Sequence, residues 1–137
     1  MSSQFITPSI LQNSVKSFSK LLWENPDLNK STFNGGTYSV NNINNYSLFL
    51  LKYKIAYSIN DNQHGNINFN GNQYQLMSEG NTFIFGADDS LYYRNVGIDT
   101  SAKTITFSLC SYCQSWNYMT NQILNTRLFP IALYGIA

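Results

Sequence analysis

The residues of this chain best suited by type to chemistry are Cys110 and Cys113, His64, the acids Glu79, Asp88 and Asp89, and asparagines at 66, 68 and 70. Cys110-Ser111-Tyr112-Cys113 has the spacing of half a zinc site or of a redox dithiol. Zinc needs a second ligand pair, and a redox pair needs a helix N-terminus within a strand-helix-strand unit. Neither context is present around it, and His64 is the only histidine. The two cysteines therefore read as small apolar residues at the end of a strand, and a bridge across this spacing would be strained in extended chain. Glycoside cleavage requires two carboxyl groups on opposite sides of a sugar. Gly86-Ala87-Asp88-Asp89-Ser90 has the composition of a turn, so these acids read as a solvated loop. His64 and Asp61 lie in Asn60 to Gly65, which is loop composition, and nothing marks an activated serine. The expectation is a protein that is not an enzyme and needs no metal or cofactor.

Binding residues are easier to nominate. Asn66, Asn68 and Asn70 alternate along one strand, which puts three amides on one face, each able to donate and accept. That row would hydrogen-bond a glycan or a neighbouring subunit; as the plainer alternative, it is the solvent face of a hairpin in an Asn-rich chain. Trp116 and Tyr118, with Met119, fall in an irregular stretch from Ser111 to Thr126 and would line a loop or a short helix. Asn66, Asn68, Asn70, Trp116 and Tyr118 are the candidate ligand-binding residues.

The elements that must position them are strands. From residue 18 onward, short apolar runs alternate with Asn, Gly and Asp clusters every 8 to 14 residues, the spacing of a sandwich or barrel. Leu48 to Tyr57 is the clearest: Phe49, Leu51, Tyr53, Ile55 and Tyr57 fall on one face, with Lys52 and Lys54 on the other. Other strands are expected at Ser19 to Trp23, Thr37 to Val40, Thr82 to Phe85, Leu91 to Val96, Thr104 to Leu109 and Leu128 to Ile136. Gly71-Asn72 closes a hairpin before Tyr74 to Met77. Turns are expected at Gly86 to Asp89 and Gly97 to Ala102. The fold class is thus all-β, an antiparallel, jelly-roll-like sandwich of eight or nine strands over residues 18–137. Residues 1–17 precede it as a short helix or arm, because Thr7-Pro8 resembles a helix start and Ile10, Leu11 and Val15 follow at near-helical spacing.

Composition restricts the partners. Charged residues make up 11% of the chain, and 19 Asn and 16 Ser take their place. Eight bases against seven acids offer no cluster for phosphate or anionic lipid, so nucleic acid is a poor candidate partner. The N-terminus lacks a basic region followed by a long apolar run, and no stretch approaches the roughly 18 apolar residues of a membrane span. Synthesis in a cytoplasm and no membrane insertion are the expectation.

Two ends of the chain carry a resemblance: Lys20-Leu21-Leu22-Trp23-Glu24-Asn25-Pro26 and Pro130-Ile131-Ala132-Leu133-Tyr134-Gly135-Ile136. With the strand Tyr46 to Tyr57, they resemble tail-associated modules of bacteriophages and prophages over about residues 18 to 137. The resemblance implies a β-sandwich of a tail fibre tip, appendage or other minor virion protein, commonly trimeric and concerned with host-surface binding. Related chains carry the module behind a long shaft, whereas about seventeen residues precede it here, which leaves a small attachment or decoration protein open. The alternative is a glycan-active enzyme or lysin-associated carbohydrate-binding domain. Apolar residues beyond the needs of one core, on both faces of 128–136 and at Phe5, Ile6, Ile10, Leu11 and Val15, predict a homotrimer with the N-terminal residues in the contact. Other virion proteins and a host cell-surface glycan complete the expected partners.

Overall fold

The structure, a computed structural model, describes residues 19–56, 72–87, 91–113 and 122–137. Among them strand accounts for 64% and no helix reaches seven residues. The strands are β1 (Ser19–Glu24), β2 (Gly36–Ser39), β3 (Phe49–Ala56), β4 (Asn72–Met77), β5 (Gly80–Ala87), β6 (Leu91–Asp99), β7 (Thr104–Phe107), β8 (Ser111–Cys113), β9 (Gln122–Ile123) and β10 (Arg127–Ile136), with one 3-10 turn at Ile43–Asn45. They form two antiparallel sheets packed together, the sandwich expected from the sequence.

The first sheet has the order β1-β10-β3-β4. In the second, β5 pairs along one edge of β6, while β7 and then β8 pair along the other, continued by β2 and β9. This sheet is therefore also four lanes wide, its outer two lanes interrupted around residues 108–110. Alternation sets the faces: Phe49, Leu51 and Tyr53 of β3 enter the core, and on β6 every second residue from Tyr92 to Ile98 is buried. A slip of one residue would turn either apolar set outward, so the register is strongly specified. Rings occupy much of the space between the sheets, with Trp23 and Phe107 at 5.3 Å and Phe33 edge-on to Phe107 at 5.4 Å.

One inward position of β6 holds a charge. Arg94 is completely enclosed, and its guanidinium donates from Nε to Leu128 O at 2.8 Å and from Nη1 to Ser108 O at 2.9 Å. Nη2 donates to Phe33 O at 2.7 Å and to Arg127 O at 2.9 Å, and the Phe33 ring lies 5.0 Å below the charge. Carbonyl oxygens thus take the place of a carboxylate, which meets the condition for burying an ion. Burial pushes the guanidinium down to about 10, so it stays charged at neutral pH. Leu128 adopts a left-handed backbone, φ 54°, unusual for a branched residue.

Residues 20–26, 46–56 and 130–136 meet in this fold. β1 pairs with β10, with Ser19 opposite Ile136 and Glu24 opposite Ala132. Just past β1, buried Asn25 donates from Nδ2 to Pro130 O at 2.7 Å and from its backbone to Ile131 O at 2.9 Å. The Tyr46 ring lies against Gly135 so closely that a Cβ there would sit 2.6 Å from it. These motif residues hold the first sheet together.

Several expectations are corrected. The stretch 111–126, read as irregular, contains β8 and β9; strands of three and two residues are too short to show a period. Gly86 and Gly97, assigned to turns, lie inside β5 and β6. A Cβ at Gly86 would approach Ile55 and Leu128 to 3.0 Å, so this glycine serves close packing of the sheets. The apolar residues of β10 were counted as surplus, yet Leu128, Phe129 and Leu133 are fully enclosed and Ala132 is 3% exposed. β10 is flanked by β1 and β3, and one chain covers most of it. The N-terminal helix or arm lies outside the described residues.

Candidate functional site

The nominated binding residues Asn66, Asn68, Asn70, Trp116 and Tyr118, and the contact residues Phe5, Ile6, Ile10, Leu11 and Val15, all lie outside the described residues, as do His64, Asp88 and Asp89. Glu79 is exposed and accepts from Thr100 N at 3.4 Å. Cys110 and Cys113 are buried and not joined in a disulfide. Cys110 belongs to the core, and burial pushes its thiol up to about 11, away from the thiolate that nucleophilic or metal chemistry uses. Among the described residues no group of three or more His, Cys, Asp or Glu is placed to hold a metal ion.

What the fold does present is two unlike outer faces. On the first sheet, the register places Leu21 beside Tyr134, Tyr134 beside Leu50, and Leu50 beside Leu76. The result is an apolar row across all four strands. Leu21 and Leu76 are 48% and 54% exposed, while Leu50 between them is 6% exposed without belonging to the core. Burial raises the hydroxyl pKa of Tyr74 and Tyr134, and the nearby Glu24 carboxylate raises that of Tyr134 further. Leu48 extends the patch, its carbonyl accepting from Ile136 N at 3.0 Å.

The outer face of the second sheet is polar at one end and aromatic at the other. Asn81, Gly97, Thr106 and Thr37 stand side by side in one row, with the Thr37 and Thr106 hydroxyls 3.0 Å apart. Phe83 and Asn95 form the next pair, followed by Phe85 and Tyr93. Because Gly97 has no side chain, Asn81, Asn95, Thr106 and Ser108 enclose a depression of about 120 Å³ above it. Ser108 Oγ accepts from Asn95 N at 2.8 Å, whereas the enclosed Asn95 Oδ1 has no donor among the described residues. Next to the depression, Phe83 and Phe85 are 48% and 50% exposed, their ring centres 6.1 Å apart, and Tyr93 meets Phe83 edge-on at 6.1 Å. None of these residues carries a charge at neutral pH.

A larger hollow of about 210 Å³ lies between Leu28, Asn29, Lys54 and Ile131. One amide and one ammonium are too few polar groups to converge on a ligand.

The outer-face residues of the second sheet were not singled out from sequence. Phe83 and Phe85 stand two apart in a recognised strand, which is the available signal. On β6 the signal is masked, because charged Arg94 points inward and Tyr93 outward, the reverse of what residue type implies. No family model matches the chain, and neither a curated protein nor a solved structure matches it significantly.

Proposed function

We propose that the chain is a non-enzymatic structural module of a bacteriophage particle, a β-sandwich that self-associates and binds either a host-surface component or another virion protein. The observation that carries this reading is the apolar row across the first sheet, whose end residues Leu21 and Leu76 stand half in solvent. Large apolar side chains left in solvent at both ends of one row favour contact with another macromolecule. Low charge lets copies approach with few ions to desolvate. The resemblance of 20–26, 46–57 and 130–136 to tail-associated modules supports a virion setting after synthesis in the host cytoplasm. Closed symmetry satisfies a repeated apolar face, and the same resemblance favours three copies. Nucleic acid and membrane insertion have no place in this reading, since a formal net charge of +1 offers no basic stripe.

Light scattering on the purified protein tests it: the expected mass is near three times the 15.6 kDa chain. Leu21→Glu combined with Leu76→Glu is expected to give single chains with unchanged far-ultraviolet dichroism, because both side chains are already half in solvent. A wild-type mass of one chain at micromolar concentration would refute self-association.

A further inference from the structure

We infer that the outer face of the second sheet is a binding site for a neutral saccharide, with Phe83 and Phe85 as the stacking surface and Asn81, Asn95 and Thr106 around Gly97 as the hydrogen-bonding groups. This rests on the reading of the protein as a surface-binding module, though not on its place in a particle. A pyranose ring has two kinds of surface, flat apolar patches of C–H groups and a rim of hydroxyls. The face of this sheet has the matching pair within one strand's width. Exposed rings accept the C–H patch, and amides and hydroxyls, each both donor and acceptor, accept the rim.

Charge narrows the ligand class. The two central rows of this face contain no lysine, arginine, aspartate or glutamate, and the guanidinium of β6 is turned into the core. Among the described residues of these rows an anionic glycan, phosphate or nucleic acid would find no counterion. The floor at Gly97 narrows it further. A depression of about 120 Å³ is too shallow for a whole sugar but accommodates one substituent, a hydroxymethyl or acetamido group, while the ring lies over Phe83. Asn95 lines it, and its enclosed Oδ1 has no donor among the described residues, so turning this amide towards a ligand breaks no bond at that oxygen. A single open face gives weak binding, and an assembly carrying several such faces multiplies it by about 10²–10⁴.

The test uses the full chain on an array of neutral oligosaccharides of glucose, galactose, mannose and N-acetylglucosamine beside sialylated and sulfated ones. Neutral glycans are expected to bind in preference to the acidic ones. For the best of them, Phe83→Ala and Gly97→Val are each expected to weaken binding about tenfold, one by removing the ring and the other by filling the floor. Thr106→Val, nearly equal in shape, removes a hydroxyl and is expected to weaken it severalfold. Raising sodium chloride tenfold is expected to leave affinity within about twofold. The inference is overturned if protein of wild-type mass and dichroism binds no neutral glycan, if folded Phe83→Ala and Thr106→Val bind like wild type, or if salt abolishes binding. It is also overturned if Phe83→Ala lowers the mass of the assembly, since the face is then a contact between copies. A wild-type chain that is monomeric but binds a neutral glycan through these residues supports the inference while refuting self-association.

Discussion

Arg94 Nε donates to the carbonyl oxygen of Leu128 at 2.8 Å, tying the second sheet to the first strand residues of β10 in the other. The same guanidinium holds the carbonyls of Phe33, Ser108 and Arg127, so three chain segments converge on one side chain. Arg94→Met is expected to destabilise the protein by at least about 3 kcal/mol, because hydrogen bonds to a charged group are worth about 1.5–3 kcal/mol each and the carbonyls would remain buried. Arg94→Lys is expected to recover only a small part, since an ammonium lacks the planar fork. Urea unfolding midpoints at constant slope decide it; a lysine variant as stable as wild type would show that charge alone suffices.

Asn25 is expected to behave as a structural residue despite its loop-like type. Asn25→Ala removes the donor to Pro130 O and is expected to cost about 1–3 kcal/mol. Asn25→Asp is expected to cost at least as much above pH 5, because it replaces the donor with an acceptor facing a carbonyl. Thermal denaturation of both variants measures this, and an unchanged midpoint for alanine would count against the contact.

Gly135→Ala is expected to destabilise by about 1–3 kcal/mol, the usual range for overpacking, because the Tyr46 ring must move away from the new methyl group. In a Tyr46→Leu background the same substitution is expected to cost less. A double-mutant cycle reads the difference, and strictly additive effects would place the strain elsewhere.

The Cys110 thiol gives the stability a slope at alkaline pH. Burial raises it from 9.0 to about 11, so between these values the unfolded chain releases a proton that the folded chain keeps. Its contribution is therefore complete below pH 9 and is lost as pH rises towards 11, roughly 2–3 kcal/mol at most. Tyr53, whose hydroxyl pKa burial also raises, acts in the same direction. Urea midpoints at pH 8, 9 and 10 are expected to fall more steeply for wild type than for Cys110→Ala. Parallel curves would exclude the thiol as the source.

The sandwich was legible wherever alternation was strict. Phe49, Leu51 and Tyr53 against Lys52 and Lys54 identify β3 and its faces without ambiguity. It was not legible where a residue's type and its place disagree. Arg94 is charged and enclosed, Phe83 and Phe85 are apolar and half in water, and Gly97 is a glycine within a strand. Each is decided by what the neighbouring strand brings opposite, a long-range pairing that local pattern does not contain. The candidate face of the second sheet is built mostly from such residues. The structural role of residues 20–26 and 130–136 is not legible from local pattern, because the contact of Asn25 with Pro130 spans 105 positions.

The pairing of Ser19 with Ile136 also determines how the domain responds to force. The described chain enters and leaves at one corner of the first sheet, on neighbouring antiparallel strands. Tension applied between these two points would open the β1–β10 ladder like a zipper, one hydrogen bond after another, at low load. Shear along a strand, which loads all the bonds of a ladder at once, would require pulling from opposite ends. Tension passing through a larger assembly by way of this corner would therefore bypass the body of the sandwich. The outer face of the second sheet would keep its shape while the attachment point yields, whereas the row on the first sheet would lose Leu21.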